Sequence, residues 1–379
     1  MMANRGNYVA SISEIVRWLG QQAESLGVNV FTGFPVGALL TEGQRVVGVR
    51  TVAAGLKRDG SQSSSYSRPA DITAHVTVLS EGTRGMLSEA YCSWQQIAAE
   101  NAQIFALGVK ELWQTKQPLD AVVHTFGWPL PSDTFGGSFI YPLASDLVAI
   151  GLVVGMDYPD ASLDVHEMLQ RLKLHPLVRP LLEHGTLLEW GAKTIPEGGY
   201  YALRRRRYGD GLIIVGDAAG YVDVASLKGI HYAIQSGIFA ARAIFDALKA
   251  RDTSATSLAA YERAVDASYI GRDLRERRNT RLAFQGSNLY AGGLKAAMMT
   301  LTRGAFPGRR IRSRADSDVP RLEGSNETAT FFPDGVLTFD KLAANYKSGN
   351  VTRDDIPQHL IVGEEISPAL AALYQRMCP

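Results

Sequence analysis

The sequence predicts an α/β fold, α+β overall, in which a parallel strand–helix domain is interrupted by a mostly antiparallel sheet. Three observations predict it. Residues 211–250 read as a short apolar strand, GLIIV, a glycine-rich turn, GDAAG, and a long helix from 228 onward. Residues 76–91, VTVLSEGTRGMLSEAY, show the same strand–turn–helix order much earlier in the chain. Between them, FALGVKELW, AVVHTFGW, GGSFIYPL and LVAIGLVVGMD follow one another as strand-like segments with few helical signals.

Taken in order, residues 11–26 form an amphipathic helix with Ile12, Ile15, Val16, Leu19 and Ala23 on one face. Ser11 or Ser13 can cap its start and Gly27 stops it. VNVFTGF and VVGVRTV read as Val-rich strands separated by the turn TEGQ. Residues 57–70 are polar and read as a surface loop, and 72–80 as one apolar strand running into Glu81-Gly82. A helical patch at 162–185 packs on the central sheet, and a second long helix covers 256–275. Residues 287–314 are glycine-rich, apolar and then strongly basic, and the tail after 326 is irregular. The expected division is 1–90 with 206–285 as one discontinuous domain and 91–205 as the inserted sheet. Residues 286–325 form a surface segment and 326–379 the start of a further domain.

Composition narrows the classes. The chain has 379 residues, with 39 Lys+Arg against 38 Asp+Glu, a formal net charge of +1. Hydrophobic residues make up 46% and charged residues 20%, which excludes a disordered chain, collagen and a coiled coil. Near neutrality argues against nucleic acid as a partner. Two cysteines, Cys92 and Cys378, cannot frame a disulfide scaffold, so a reducing compartment is expected. No run of ~18 uncharged apolar residues suits a membrane span, and the first residues lack the layout of a signal peptide.

The chemistry concentrates at 211–237. An apolar strand ends at Gly216-Asp217, and Ala218, Ala219 and Gly220 let a ligand approach the backbone. The helix that follows begins near Lys228-Gly229, where free N–H groups and the positive dipole end suit an anionic or electron-rich edge. In flavoproteins this arrangement sets the acid against a ribityl hydroxyl and the helix start against the flavin pyrimidine. The same residues also suit a glycine-rich turn in any α/β protein. Glu81-Gly82, at the end of the earlier strand, strengthens the flavin reading when paired with Gly216-Asp217.

The chain resembles the electron-transfer flavoprotein–ubiquinone oxidoreductases. The resemblance is carried, in order, by RGNYVASISEIVRWLGQQAESLGVNVF, GVKELW, HTFGWPL, TFGGSFIYPL, IGLVVGMDYP, LKGIHYAIQSGIFAA, FPDGVLTFDKL and QRMCP. It implies a glutathione-reductase-like FAD-binding domain, an inserted quinone-binding sheet and an iron–sulfur domain. The cofactors implied are FAD and a [4Fe–4S] cluster, with ubiquinone as substrate and electron-transfer flavoprotein as partner. The implied location is peripheral on an inner membrane, at the bacterial cytoplasmic or mitochondrial matrix face. Position by position, the resemblance sets Val36 at the adenine end of FAD and Glu81, Gly82, Gly216, Asp217 and Gly220 in the two FAD loops. Lys228, Gly229 and His231 fall at the helix start beneath the isoalloxazine. Phe135, Gly136 and Gly137 match the quinone-head site, and Cys378 the first cluster ligand. Residues 289–314, with Leu289, Tyr290, Leu294, Met298, Leu301 and Phe306 beside Lys295, Arg303, Arg309, Arg310, Arg312 and Arg314, match a membrane-dipping segment.

Departures accompany the match. The sequence contains no G-x-G-x-x-G to hold a pyrophosphate and no C-x-x-C-x-x-C after Cys378. The expectation is an incomplete FAD domain, a truncated iron–sulfur domain without an assembled cluster, and impaired activity. Asp223, Ala225 and Ile230 stand where the family carries Asn, Pro and Thr or Ser. A carboxylate at 223 is expected to disfavour the reduced, anionic flavin. Two other readings stay open: an FAD-dependent reductase or monooxygenase of the geranylgeranyl-reductase type, and a non-catalytic remnant or subunit of a split enzyme. Arg204–Arg207 read as a solvated run, and His166, His175 and His184 are spaced wrongly for a metal site. Trp113, Trp128 and Trp190 read as core or interface residues rather than electron relays, and Cys92 as a buried small hydrophobe.

Overall fold

The computed structural model describes residues 6–320, 331–350, 355–357, 365–368 and 371. The described chain divides into two compact units. One comprises Phe34–Phe105 and Ile195–Asp318; the other comprises residues 6–33, Ala106–Thr194 and the described residues after 318.

Helix α1, Ile12–Ser25, is capped by Ser11 and ends at Gly27, whose φ of +85° a residue with a Cβ adopts only at a cost. None of its residues is buried, so its apolar face is exposed.

In the first unit, β1 (Val36–Glu42) and β2 (Arg45–Thr51) form an antiparallel hairpin around Gly43-Gln44. The strand expected over VNVFTGF lies at Val36–Glu42 instead. A hairpin pairs the residues next to its turn, here Glu42 with Arg45, and the pairing ends at Val36 opposite Thr51. Residues 57–70 are likewise not all loop. β3 (Ala54–Leu56) and β4 (Gln62–Ser67) pair across Asp59-Gly60, where Gly60 sits at φ +81° and Lys57 N–H reaches Ser61 O at 2.8 Å. The single strand expected over 72–80 is two: β5 (Asp71–Thr73), antiparallel to β2, and β6 (Thr77–Leu79). Helix α2, Met86–Trp94, follows β6.

In the second unit, β7 (Phe105–Gln114), β8 (Val123–Phe126), β9 (Gly136–Ala144) and β10 (Leu147–Gly155) correspond to the four expected segments. Helices α3 (Val165–Lys173) and α4 (Arg179–Leu182) and strand β11 (Thr186–Pro196) follow. The sheet order is β11-β7-β10-β9-β8, and β10 runs antiparallel to both β7 and β9. The alternating apolar residues of β10, Val148, Ile150, Leu152 and Val154, are all buried against α3. Beneath them lies a charged cluster. Lys173 and Glu111 are both fully buried and pair at 2.9 Å. Glu111 also accepts from Trp113 Nε1 at 2.7 Å and Gln170 Nε2 at 2.9 Å. The Lys173 ammonium lies over the rings of Trp113 and Phe339, 5.1 and 5.2 Å from their centres. Burial pushes the Lys173 pKa down while Glu111 opposes it. The Asp334 carboxylate shapes the 334–338 loop by accepting from the N–H groups of Val336, Leu337 and Thr338, and Leu337 is buried in this core. Gln170 Oε1 receives the Phe339 N–H, and His166 Nε2 donates to the Phe339 carbonyl at 2.9 Å.

The chain returns to the first unit with β12 (Tyr208–Gly209) and β13 (Leu212–Ile214), in the order β12-β13-β6. Helix α5, Ile230–Lys249, puts the small residues Ser236, Ala240, Ala243 and Ala247 on its buried face. That face admits close contact with α6, Ala255–Ala267, whose Leu258, Tyr261 and Val265 complete the core with Leu212, Ile213 and Ile214. The helix expected over 256–275 breaks at Ser268, which is extended (φ −85°, ψ −179°) and whose hydroxyl caps α7, Tyr269–Glu276. Arg207 is not solvated as expected of the arginine run. It is buried, pairs with Glu262 at 2.6 Å and lies over the Tyr221 ring. Helix α8, Leu289–Leu301, belongs to this unit, and α9, Lys341–Tyr346, to the other.

Replacing one member of the buried pair, in Glu111→Gln or Lys173→Met, should cost about 3–5 kcal/mol in urea unfolding, with most of the loss recovered in the double variant. The pKa of His166 is lowered by burial, against the Phe339 carbonyl that favours the charged ring. Its contribution to stability is therefore present above about pH 6.5 and lost as pH falls through the lowered value. Thermal melts should show wild type losing stability from pH 7 to 5 more steeply than His166→Gln.

Candidate functional site

Register assembles the site. β6 and β13 pair in parallel, Thr77 with Leu212, Val78 with Ile213 and Leu79 with Ile214, and Val215 N–H continues the ladder to Leu79 O at 3.0 Å. Glu81-Gly82 and Gly216-Asp217 therefore leave adjacent strands at the same carboxyl end, where α/β sheets receive ligands.

Gly216 has φ +61°, and a Cβ there would meet the Ala233 side chain at 3.4 Å. Its N–H donates to Ser236 Oγ at 3.0 Å, and that hydroxyl donates to Ala233 O at 2.8 Å. Ser236 thus ties the turn to α5. Gly220, at φ +84°, closes the turn with its N–H on Asp217 O at 2.9 Å. A Cβ at Gly229 would stand 3.5 Å from Asp217 Oδ1, so that carboxylate reaches the head of α5. Gly229 is the N-cap of α5 and supplies no side chain to its first N–H groups. Lys228 precedes it, half-buried, and exchanges two backbone hydrogen bonds with Asp223 at 2.9 and 3.2 Å. His231, one residue into α5, is half-buried beside Tyr232, with ring centres 4.2 Å apart, and parallel to the Tyr269 ring. Burial and then the Lys228 charge lower its pKa, which favours a neutral ring.

Asp223 is not the bare carboxylate expected from its position. It is buried, accepts the Ser226 N–H at 3.2 Å and pairs with the Arg277 guanidinium, which also donates to Ser226 Oγ at 2.7 Å. Glu81 turns toward its own helix and accepts from Leu87 N–H, Ser88 N–H and Ser88 Oγ at 3.0, 2.8 and 2.7 Å. It caps α2 and holds the backbone at Gly82, where φ is +73° and nothing lies within 4 Å of a Cβ position. Val36 begins β1, opposite Thr51, in a different sheet from β6 and β13.

In the second unit, Phe135-Gly136-Gly137 lead into β9. The two glycines are not there for a ligand alone. A Cβ on Gly136 would meet Val153 O and Leu130 Cδ1 at 2.5 Å, and one on Gly137 would meet Thr125 O at 2.3 Å. Sheet pairing requires both. Phe135 is half-buried and packs edge-to-face on the half-exposed Phe126, with ring centres 5.9 Å apart. A cleft of about 520 Å³ opens nearby, lined by Trp128, Pro131, Met168, Arg171, His175 and Phe331. Cys378 lies outside the described residues.

Ser236 and Arg277 were not among the expected site residues. Ser236 had a signal: it falls between Tyr232 and Ala240 at four-residue spacing, a polar side chain on a face that packs. Arg277 had none, because 54 residues separate it from Asp223.

A family model described as ETF-QO, ubiquinone-binding, matches residues 105–195. The mitochondrial electron transfer flavoprotein-ubiquinone oxidoreductase of Arabidopsis thaliana is 36% identical over 390 residues, covering 99% of this chain and 61% of the relative. Those of Dictyostelium discoideum and Homo sapiens are 35% and 33% identical, covering 96% and 100% of this chain and 62% and 64% of theirs. This chain thus spans somewhat over three fifths of their length. Among solved structures, a geranylgeranyl bacteriochlorophyll reductase-like protein from Thermoplasma acidophilum matches with a TM-score of 0.61 at 17% identity, over 78% of this chain and 72% of that one. A myxobacterial chondrochloren halogenase, of the FAD-dependent halogenases, matches at 0.53 and 20% identity, over 81% and 71%. These two share the fold. By sequence, the chain is similar over nearly its whole length to electron transfer flavoprotein-ubiquinone oxidoreductases.

Proposed function

We propose that this chain carries the flavin-facing and quinone-facing parts of an electron transfer from reduced electron-transfer flavoprotein to ubiquinone. The observation that carries this reading is the match of the ubiquinone-binding model to the antiparallel sheet, 105–195, in a chain whose β6 and β13 loops share one carboxyl end.

The residues present fit the flavin end of FAD. Gly216 and Gly220 form a turn that a side chain would obstruct, Asp217 offers a carboxylate to a hydroxyl, and the head of α5 offers N–H groups without a side-chain cap. FAD, when bound, would supply the exchange of one or two electrons. Asp217 would orient a ribityl hydroxyl, α5 would favour negative charge on the pyrimidine, and Ser236 would hold Gly216 in place. A neutral His231 would add no charge of its own. The cluster is different: four thiolates are needed, and this sequence has Cys92, which is buried, and Cys378.

For the quinone, Phe135 and Phe126 offer an aromatic wall beside the backbone of Gly136 and Gly137. For the membrane, α8 exposes Tyr290, Leu294 and Leu301, and Phe306 follows. The basic stretch after it is held by Asn279, which binds Pro307 O, Arg309 O and Ile311 N–H. No helix among the described residues is long and apolar enough to cross a membrane. With their exposed apolar and basic residues, residues 289–314 would lie along the anionic surface of an inner membrane, at the bacterial cytoplasmic or mitochondrial matrix face.

The test is reconstitution of the purified chain with FAD, followed by reduction with reduced electron-transfer flavoprotein and reoxidation by a ubiquinone analogue. A flavin that binds, reduces and reoxidises supports the reading, and a chain that takes up no flavin overturns it. Gly216→Val should abolish flavin retention in a gel-filtration assay, because φ +61° opposes a branched side chain there. Phe135→Leu should weaken binding of a quinone analogue about three- to tenfold, read by fluorescence titration, without altering the circular dichroism spectrum. Leu294→Asp with Leu301→Asp should release the chain from anionic vesicles in a flotation assay while leaving flavin uptake unchanged.

A further inference from the structure

The segment from Asp223 to Lys228 forms the approach to α5. Two backbone hydrogen bonds between its ends close it into a loop, and Leu227 inside it takes a left-handed φ of +56°. A residue with a branched Cγ in that conformation must be held by its surroundings. The hold comes from α7 and the residue just after it. Arg277 donates to Asp223 Oδ2 and to Ser226 Oγ, and Asp273 of α7 accepts from the Tyr232 hydroxyl of α5 at 3.2 Å.

The environment of the pair sets its electrical effect. The Asp223 side chain is only 3% exposed. The adjoining cavity, lined by Glu197, Gly199, Val224 and Ala225 as well as the pair itself, measures about 20 Å³, room for about one water. Water hardly reaches the carboxylate there, so its charge is balanced by Arg277, whose own side chain is 38% exposed. Arginine does not deprotonate in proteins, which leaves the guanidinium no way to neutralise itself if its carboxylate is removed.

We propose that Arg277 is a positioning residue for the flavin site. With Asp223 it forms a neutral unit that fixes the 223–228 loop against α5 and presents the bound flavin with almost no net charge. This rests on the reading that a flavin lies at the head of α5. Arg277 therefore cancels the repulsion that a lone carboxylate at 223 would exert on a reduced flavin. The two residues act on the flavin together, and neither effect is legible from one position.

The experiment compares the flavin midpoint potential of wild type, Asp223→Asn and the double variant Asp223→Asn with Arg277→Met. A neutral unit predicts that Asp223→Asn alone favours the reduced flavin by about tenfold, near 30 mV for a two-electron couple, because it frees a positive charge. It predicts that the double variant returns to within about threefold of wild type. If the double variant matches Asp223→Asn, or all three proteins share one potential, the proposal is wrong while the flavin reading stands. A wild-type chain that takes up no flavin overturns the flavin reading and the proposal with it. Should Asp223→Asn fail to fold, Asp223→Ser keeps an oxygen for the Ser226 N–H and carries the same expectation. Arg277→Lys, which retains the charge, should stay near the wild-type potential, and a shift as large as that of Asp223→Asn would also overturn the proposal.

Discussion

Everything proposed for the first unit depends on three parallel residue pairs, Thr77–Leu212, Val78–Ile213 and Leu79–Ile214. They join strands whose sequences lie far apart and bring Glu81-Gly82 and Gly216-Asp217 to one edge. A slip of one residue would reverse the faces of β13, whose three residues are all buried, and would separate the two loops. All three residues of β13 are buried, whereas Val78 of β6 is 41% exposed, so the register is held by the backbone ladder together with the buried side chains of β13. It also places Gly216 within reach of Ser236, so the turn and the helix are set by the same core.

The second unit is organised differently. Its sheet is antiparallel, and its core contains a fully buried ion pair, Lys173–Glu111, wrapped by Trp113, Gln170 and Phe339. An apolar substitute of the same volume would give comparable stability. What the charges add is direction. Glu111 Oε1 accepts from Gln170 and Lys173, Glu111 Oε2 from Trp113 and Lys173, and Gln170 Oε1 from Phe339 N–H, so α3, β7 and the 334–339 segment meet in one connected network. Gly136 and Gly137 show that a glycine pair can serve the sheet before it serves a ligand. The carbonyls of Val153 and Thr125 occupy the space where their side chains would stand.

Much of this was legible in residue order. Four of the five strands of the central sheet (β7 to β10), α1 with its Ser11 cap, and the strand–turn–helix at 211–250 follow from periodicity and from glycine placement. The errors share a cause. VNVFTGF has strand-forming residues without a partner strand, and 57–70 has polar residues that nevertheless pair across Asp59-Gly60. Strand identity belongs to a pair, and a single segment carries only half of the information. The long helix expected over 256–275 broke at Ser268 because that hydroxyl competes with the backbone as a cap.

The sequence by itself determined the fold class, the family resemblance and the positions of the loops, since local patterning and a run of matched segments are properties of residue order. The tertiary structure alone decided which charges are bare and which are balanced. Arg207 proved buried against Glu262, Glu81 proved a helix cap, and Asp223 proved to be paired with Arg277. The reason is physical: the field of a charge is set by what lies within a few ångströms in space, and partners separated by dozens of residues meet only when the chain folds.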